Sequence, residues 1–115
     1  MEESCIFCRI TSGKVPVEKV YEDEAILAFK DANPTAPVHV LVIPKVHVTD
    51  LGAIDGQVEV AGKLQAVIGQ LAKKLGIDGG YKVRLNAGRF QEVPHLHYHL
   101  QGGWPPDDKV LRGKI

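Results

Sequence analysis

His95-Leu96-His97-Tyr98-His99-Leu100-Gln101 alternates polar and apolar side chains without a break. Strict alternation is the period of a β-strand, whose successive side chains leave opposite faces. Read as a strand, the stretch lines one face with His95, His97, His99 and Gln101, spaced roughly 6.5–7 Å apart. Leu96, Tyr98 and Leu100 then line the other. One face is made for burial and the other for chemistry. A single histidine on a strand is ordinarily a hydrogen-bonded surface or core residue. Three in alternation point elsewhere, because imidazole is neither a strong strand former nor cheap to bury.

Outward from this strand the elements fall into a simple order. Residues 88–94 read as loop, and residues 81–86 as a short alternating strand entered through the turn Asp78-Gly79-Gly80. Before it, Val60, Leu64, Val67, Ile68, Leu71 and Leu75 recur at spacings of three and four, the stripe of an amphipathic helix. Lys73 and Lys74 suit its last turn, and Gly76 is a stop signal. Residues 38–43 are nearly all apolar and rich in β-branched side chains, which predicts a strand covered on both faces and ended by Pro44. Residues 31–37 hold Asn33, Pro34 and Pro37 and read as loop. Residues 17–21 and 25–29 read as strands joined by Glu22-Asp23-Glu24. Residues 5–12 make one short helical turn ended by Gly13, and Gly102-Gly103-Trp104-Pro105-Pro106 stops the sheet. The sum is an α+β fold: a mostly antiparallel five-stranded sheet, one main helix and a short N-terminal helix, in a single domain over residues 1–115.

Composition narrows the function classes. The 115-residue chain is 44% hydrophobic and 24% charged, as expected of one globular domain with a real core. Fourteen basic and fourteen acidic residues cancel, so no net field recruits nucleic acid or an anionic membrane. No apolar run reaches the roughly 18–20 residues of a membrane span. Met1-Glu2-Glu3-Ser4 lacks the basic start of a secretory signal. A cytoplasmic protein with reduced thiols is the expectation.

The nucleophile systems that compete with imidazole find little support. Serine occurs only at Ser4 and Ser12, outside any G-x-S-x-G turn. No G-x-x-x-x-G-K-[ST] loop is present to hold a nucleoside triphosphate. Imidazole remains as the credible covalent catalyst, and it suits phosphorus: one nitrogen attacks, and a neighbouring imidazole can assist the leaving group. Cys5-x-x-Cys8 is a metal-ligand spacing that two more ligands would complete into a tetrahedral zinc site. A thioredoxin-like role fits less well, since no strand precedes the pair. Two other classes stay open on the residues alone. In one, His95, His97 and His99 all bind a catalytic zinc that activates water. In the other, cysteines and histidines merely staple a nucleotide-binding or interaction module.

Taken in order, these motifs resemble those of the histidine triad (HIT) family. The triad run resembles His-x-His-x-His-x-x. Cys5-Ile6-Phe7-Cys8-Arg9-Ile10 resembles the family's opening, and Ala28-Phe29-Lys30-Asp31, Ala36 to Lys45 and His47 resemble its middle. Gly102-Gly103-Trp104-Pro105-Pro106 resembles the ending of the nucleotide-binding Hint-like branch. The resemblance implies that His97 is the nucleophile, forming a nucleotidyl–imidazole intermediate that water hydrolyses. It implies that His99 contacts the phosphate and helps the leaving group depart, with His95 and His39 in support. It matches Asp31 to a residue that holds ribose hydroxyls, Ala32 to one beside the base, Asn86 to a nucleotide contact and Gln91 to the phosphate loop. The substrates implied are purine nucleoside phosphoramidates, cleaved at the P–N bond to a monophosphate such as AMP and an amine. Relatives with the cysteine pair bind structural zinc through it and two histidines, here His47 and His95. They also form homodimers across the strand at residues 81–86. One departure stands out: the loop over residues 87–94 is shorter than usual, and Glu92 takes the place of a small hydroxyl residue. A carboxylate facing phosphate would repel it, and Pro94 removes a backbone donor.

Overall fold

The computed structural model describes residues 4–105. Met1 to Glu3, Pro106 and the polar tail after it lie outside the described residues. In chain order the elements are α1 (Ile6–Thr11), β1 (Lys19–Glu22), β2 (Ile26–Lys30), β3 (Val38–Pro44), α2 (Val58–Lys74), β4 (Tyr81–Arg84) and β5 (Tyr98–Gly102). The strands form one antiparallel sheet in the order β1-β2-β3-β5-β4. The expected α+β fold is therefore present, with its five strands, main helix and short N-terminal helix. No described helix is long and apolar enough to cross a membrane.

The central strands of the sheet are covered on both faces, and alternation along them assigns each side chain. Ile26, Ala28, Val40, Val42, Leu96, Tyr98 and Leu100 pack with Leu64, Val67, Ile68, Leu71 and Ala72 of α2. Leu27, Phe29, Leu41 and Ile43 point the other way and pack with Cys5, Phe7, Cys8 and Ile10 around α1. The stripe predicted for α2 is thus the face it buries. A 3-10 segment, Leu51–Gln57, precedes α2 and was not foreseen; Asp50 caps it by accepting from Gly52 N at 2.8 Å. Between β1 and β2, Asp23 Oδ1 accepts from Ala25 N and Ile26 N, each at 2.8 Å, which closes the predicted turn.

The last strand is shorter than expected. It begins at Tyr98, and His95, Leu96 and His97 precede it outside the ladder. The register explains this: Val42 pairs Tyr98, so Leu96 would face Pro44, which has no N–H to give. Leu96 N instead donates to Val48 O at 2.7 Å. The strand expected over residues 81–86 likewise ends at Arg84, leaving Asn86 just beyond it. At the other end, a Cβ on Gly102 would lie 2.8 Å from Ile77 Cδ1, so only glycine lets β5 pass the turn that follows α2. Gly103 then leaves the sheet with φ +87°.

Candidate active site

All three triad rings are buried, at 0% exposure for His95, 4% for His97 and 6% for His99, on the α1 side of the sheet. Phe7 of α1 meets His95 and His97 edge-on at centroid separations of 5.7 and 5.1 Å. His97 and His99 are 5.1 Å apart. The alternation read from the sequence therefore holds beyond the strand itself: Leu96, Tyr98 and Leu100 go to α2 while the histidines face α1.

Backbone carbonyls fix which nitrogen of two rings carries the proton. A carbonyl can only accept, so His97 donates from Nδ1 to His95 O at 2.8 Å. The neutral ring then keeps its lone pair on Nε2. His95 donates from Nε2 to Pro44 O at 2.8 Å, which leaves its lone pair on Nδ1. That nitrogen lies 3.4 Å from Cys5 Sγ and 3.6 Å from Cys8 Sγ, while His47 Nδ1 lies 3.3 Å from Cys8 Sγ.

These four donors fit zinc. Cys5, Cys8, His47 and His95 bring one ligand atom each within 4.8 Å of one another. Sulfur and nitrogen bound to one tetrahedral zinc at about 2.0–2.3 Å stand roughly 3.5 Å apart, as here. The pairing with Pro44 O is the outer-shell bond a ligating histidine ordinarily makes. Local structure sets the cysteine pair: Cys5 caps α1 and its Sγ accepts from Cys8 N at 3.4 Å, so both thiols share one side of the first turn. Both cysteines are buried and not joined in a disulfide.

A second polar cluster surrounds His99. His39 Nε2 lies 2.8 Å from His99 Nδ1 and 3.3 Å from Asp31 Oδ2. Asp31 follows β2 and also accepts from Asn33 N at 2.9 Å. Arg84 stands opposite His99 in the β4–β5 register. Burial, then the Arg84 charge and the neighbouring rings, hold His99 down to about 4, so it is neutral at neutral pH. His39 and His95 are also pushed below the usual histidine value, chiefly by burial.

Other expected residues are placed less centrally. Ala32 is exposed beside Asp31, and Asn86 is half-buried just past β4. Gln91 donates to Thr49 O at 2.9 Å, which ties its loop to the chain after β3. Glu92 is exposed and lines a cavity of about 350 Å³ with Cys5, His47 and Thr49, toward the zinc-ligand side. The reading in which His95, His97 and His99 jointly bind a catalytic zinc is not supported. The metal-competent groups among the described residues are the Cys-His cluster and Asp31-His39-His99; neither contains His97. The reason is geometric: His95 Nδ1 faces the thiols and His97 Nδ1 is spent on a carbonyl. Thr35, Phe7 and Arg84 were not foreseen as site residues. For Arg84 the pairing of alternating strands was the available signal; Thr35 meets His39 through its backbone N–H, which no side-chain motif reports.

Residues 12–104 match the HIT domain family. The chain is 37% identical over 109 residues to the purine nucleoside phosphoramidase of Escherichia coli K12, covering 91% of this chain and 92% of that protein. It is 44% identical over 110 residues to a 14 kDa zinc-binding protein of Zea mays, covering 88% and 86%. Among solved structures, a histidine triad protein from Clostridium difficile superposes with a TM-score of 0.87 at 44% identity, over 91% of this chain and 95% of that one. A HIT family hydrolase from Clostridium thermocellum gives 0.85 at 41% identity, over 90% and 93%.

Proposed function

The chain belongs to the HIT domain family, and from that premise we propose that it hydrolyses purine nucleoside phosphoramidates through a nucleotidyl–histidine intermediate. Similarity to a purine nucleoside phosphoramidase supports a nucleotide hydrolase, and one observation carries the finer reading. The bond from His97 Nδ1 to His95 O puts the lone pair of the neutral ring on Nε2, beside a neutral His99. His97 Nε2 attacks phosphorus, a P–N bond to the ring forms, and the P–N bond to the amine breaks. His99 gives a hydrogen bond to the reacting group, and the departing amine takes its proton from water. A water molecule then cleaves the P–N bond to His97, releasing AMP, and its proton neutralises the hydroxide left by the first step. Asp31 would hold the ribose hydroxyls, with Ala32 beside the base and Asn86 and Gln91 toward the phosphate.

Zinc, held by Cys5, Cys8, His47 and His95, would be structural. Four protein ligands leave no open position for water. Buried thiols as ligands fit a reducing, cytoplasmic setting. A homodimer fits the edge of the sheet: β4 is exposed throughout, with Tyr81 and Val83 each 41% exposed and one edge unpaired among the described residues. Light scattering at micromolar concentration tests it, a mass near 12.5 kDa arguing against pairing.

The decisive experiment is a mass spectrum of protein quenched during turnover of an adenosine phosphoramidate. An adenylyl adduct on His97 is the expected result. His97→Ala should abolish the adduct and lower kcat/KM by more than about a thousandfold with the fold intact. Near-normal turnover by that variant would end the proposal.

A further inference from the structure

Gln101 is buried at 6% exposure, on the same face as the triad and directly opposite His39 in the β3–β5 register. Its amide orientation is fixed from both ends. Arg84 Nε, which can only donate, lies 3.3 Å from Gln101 Oε1, so the amide nitrogen faces the other way and donates to Thr35 Oγ1 at 2.8 Å. Thr35 sits in the loop between β2 and β3, and its backbone N–H donates to His39 Nδ1 at 3.0 Å.

That single backbone bond has consequences two rings away. His39 must accept on Nδ1, so in the neutral ring Nε2 carries the proton. The nearest acceptor is His99 Nδ1 at 2.8 Å, closer than Asp31 Oδ2 at 3.3 Å. His99 therefore accepts on Nδ1 and carries its own proton on Nε2. The order is directional: every bond from Thr35 to His99 has one donor and one acceptor, and reversing any link leaves two donors or two acceptors face to face.

We propose that Gln101 is a positioning residue which, by pinning Thr35, locks His39 and His99 in their Nε2–H tautomers, so that His99 always presents a donor toward the substrate. The link to catalysis rests on the reading of His97 and His99 given above; the lock itself does not. Because His99 is neutral at neutral pH, its two tautomers differ only in where the donor points. A ring free to choose would offer the substrate a lone pair for part of the time.

The test compares wild type with Thr35→Val, Gln101→Leu, the double variant and Thr35→Ser, using two-bond proton–nitrogen NMR of the imidazoles at neutral pH. Wild type should show His39 and His99 each as a single Nε2–H tautomer. Thr35→Val and Gln101→Leu should each give a mixture, the double variant should be no worse than either, and Thr35→Ser should restore the single form. In adenosine phosphoramidate turnover, each of the first two should lower kcat about tenfold, part of what one oriented donor supplies, with KM changed less than twofold. A wild-type His99 protonated on Nδ1, or variants with unchanged tautomers, would overturn the lock. Altered tautomers with unchanged kcat would overturn its role in positioning. If wild type itself hydrolyses no phosphoramidate while the tautomers behave as stated, the substrate reading fails and the lock stands. Thr35 is exposed, so its variants test the lock even if Gln101→Leu does not fold.

Discussion

On the α2 side of the sheet, Leu64, Leu96 and Leu100 are wholly buried among aliphatic neighbours. On the α1 side, Cys8, His95, His97 and His99 are almost as buried, yet each offers polar atoms that need partners. The first face is held by area removed from water, which is tolerant of detail. The second is held by directed contacts: a thiol 3.3 Å from His47 Nδ1, a ring nitrogen 2.8 Å from a carbonyl, two rings 2.8 Å apart. Equal burial thus hides two kinds of stability, one spread over many atoms and one concentrated in a few. The α1 face can be lost piecemeal by chemistry that leaves the α2 face untouched.

Removing the metal-ligand set should give the largest separation between them. A ligand present at a thousandfold over its dissociation constant adds about 4 kcal/mol to folding stability. Cys8→Ser should therefore lose about one zinc per chain, measured by elemental analysis, and several degrees or more of melting temperature. In a chelator series short of unfolding, turnover per folded molecule should persist, since the proposed attack by His97 needs no metal. Turnover falling in proportion to zinc removed, with the fold intact, would break the distinction. Zinc absent from carefully prepared protein would reduce the cysteines to packing residues.

Leu64→Ala probes the opposite face. Truncating a wholly buried leucine should cost about 3 kcal/mol in denaturant unfolding. Zinc content and kcat should stay at wild-type values. A fall in kcat without further loss of stability would mean that the faces are coupled through the sheet.

The smallest expected effect is the loss of stability between pH 7 and 5, and His99 on the α1 side contributes to it. In the folded chain His99 protonates near 4, whereas in the unfolded chain it has the ordinary histidine value. As pH falls below about 6.5 the unfolded state takes up the proton first, so stability declines until the folded form also protonates. From pH 7 to 5 His99 alone should remove about 2 kcal/mol, and His39 shifts in the same direction. His99→Gln should flatten this slope in urea titrations at several pH values; Leu64→Ala should leave it unchanged.

The same contrast explains what could be read in advance. Spacing alone revealed α2 and its buried stripe, because aliphatic packing needs only the right period. Alternation assigned Leu96 and the histidines to opposite faces. The start of β5 was misjudged, since alternation does not reveal that Leu96 would meet Pro44 across the ladder. The segment Leu51–Gln57 escaped because one side chain, Asp50, both caps it and accepts from Gly88 N at 3.0 Å, a distant contact. Resemblance named Cys5, Cys8, His47 and His95 as a set, and the structure brings them together. Thr35 could not be seen, because its bond to His39 is made by a peptide N–H that every residue but proline has, and its hydroxyl meets Gln101 only across the fold.

Ile77 occupies the space where a side chain at Gly102 would be. The two positions share one volume although 25 residues separate them in the sequence. Bulk gained at one can be accommodated only by bulk given up at the other. Changes there should be viable as pairs and costly singly, so a library that varies one position at a time will record both as immutable.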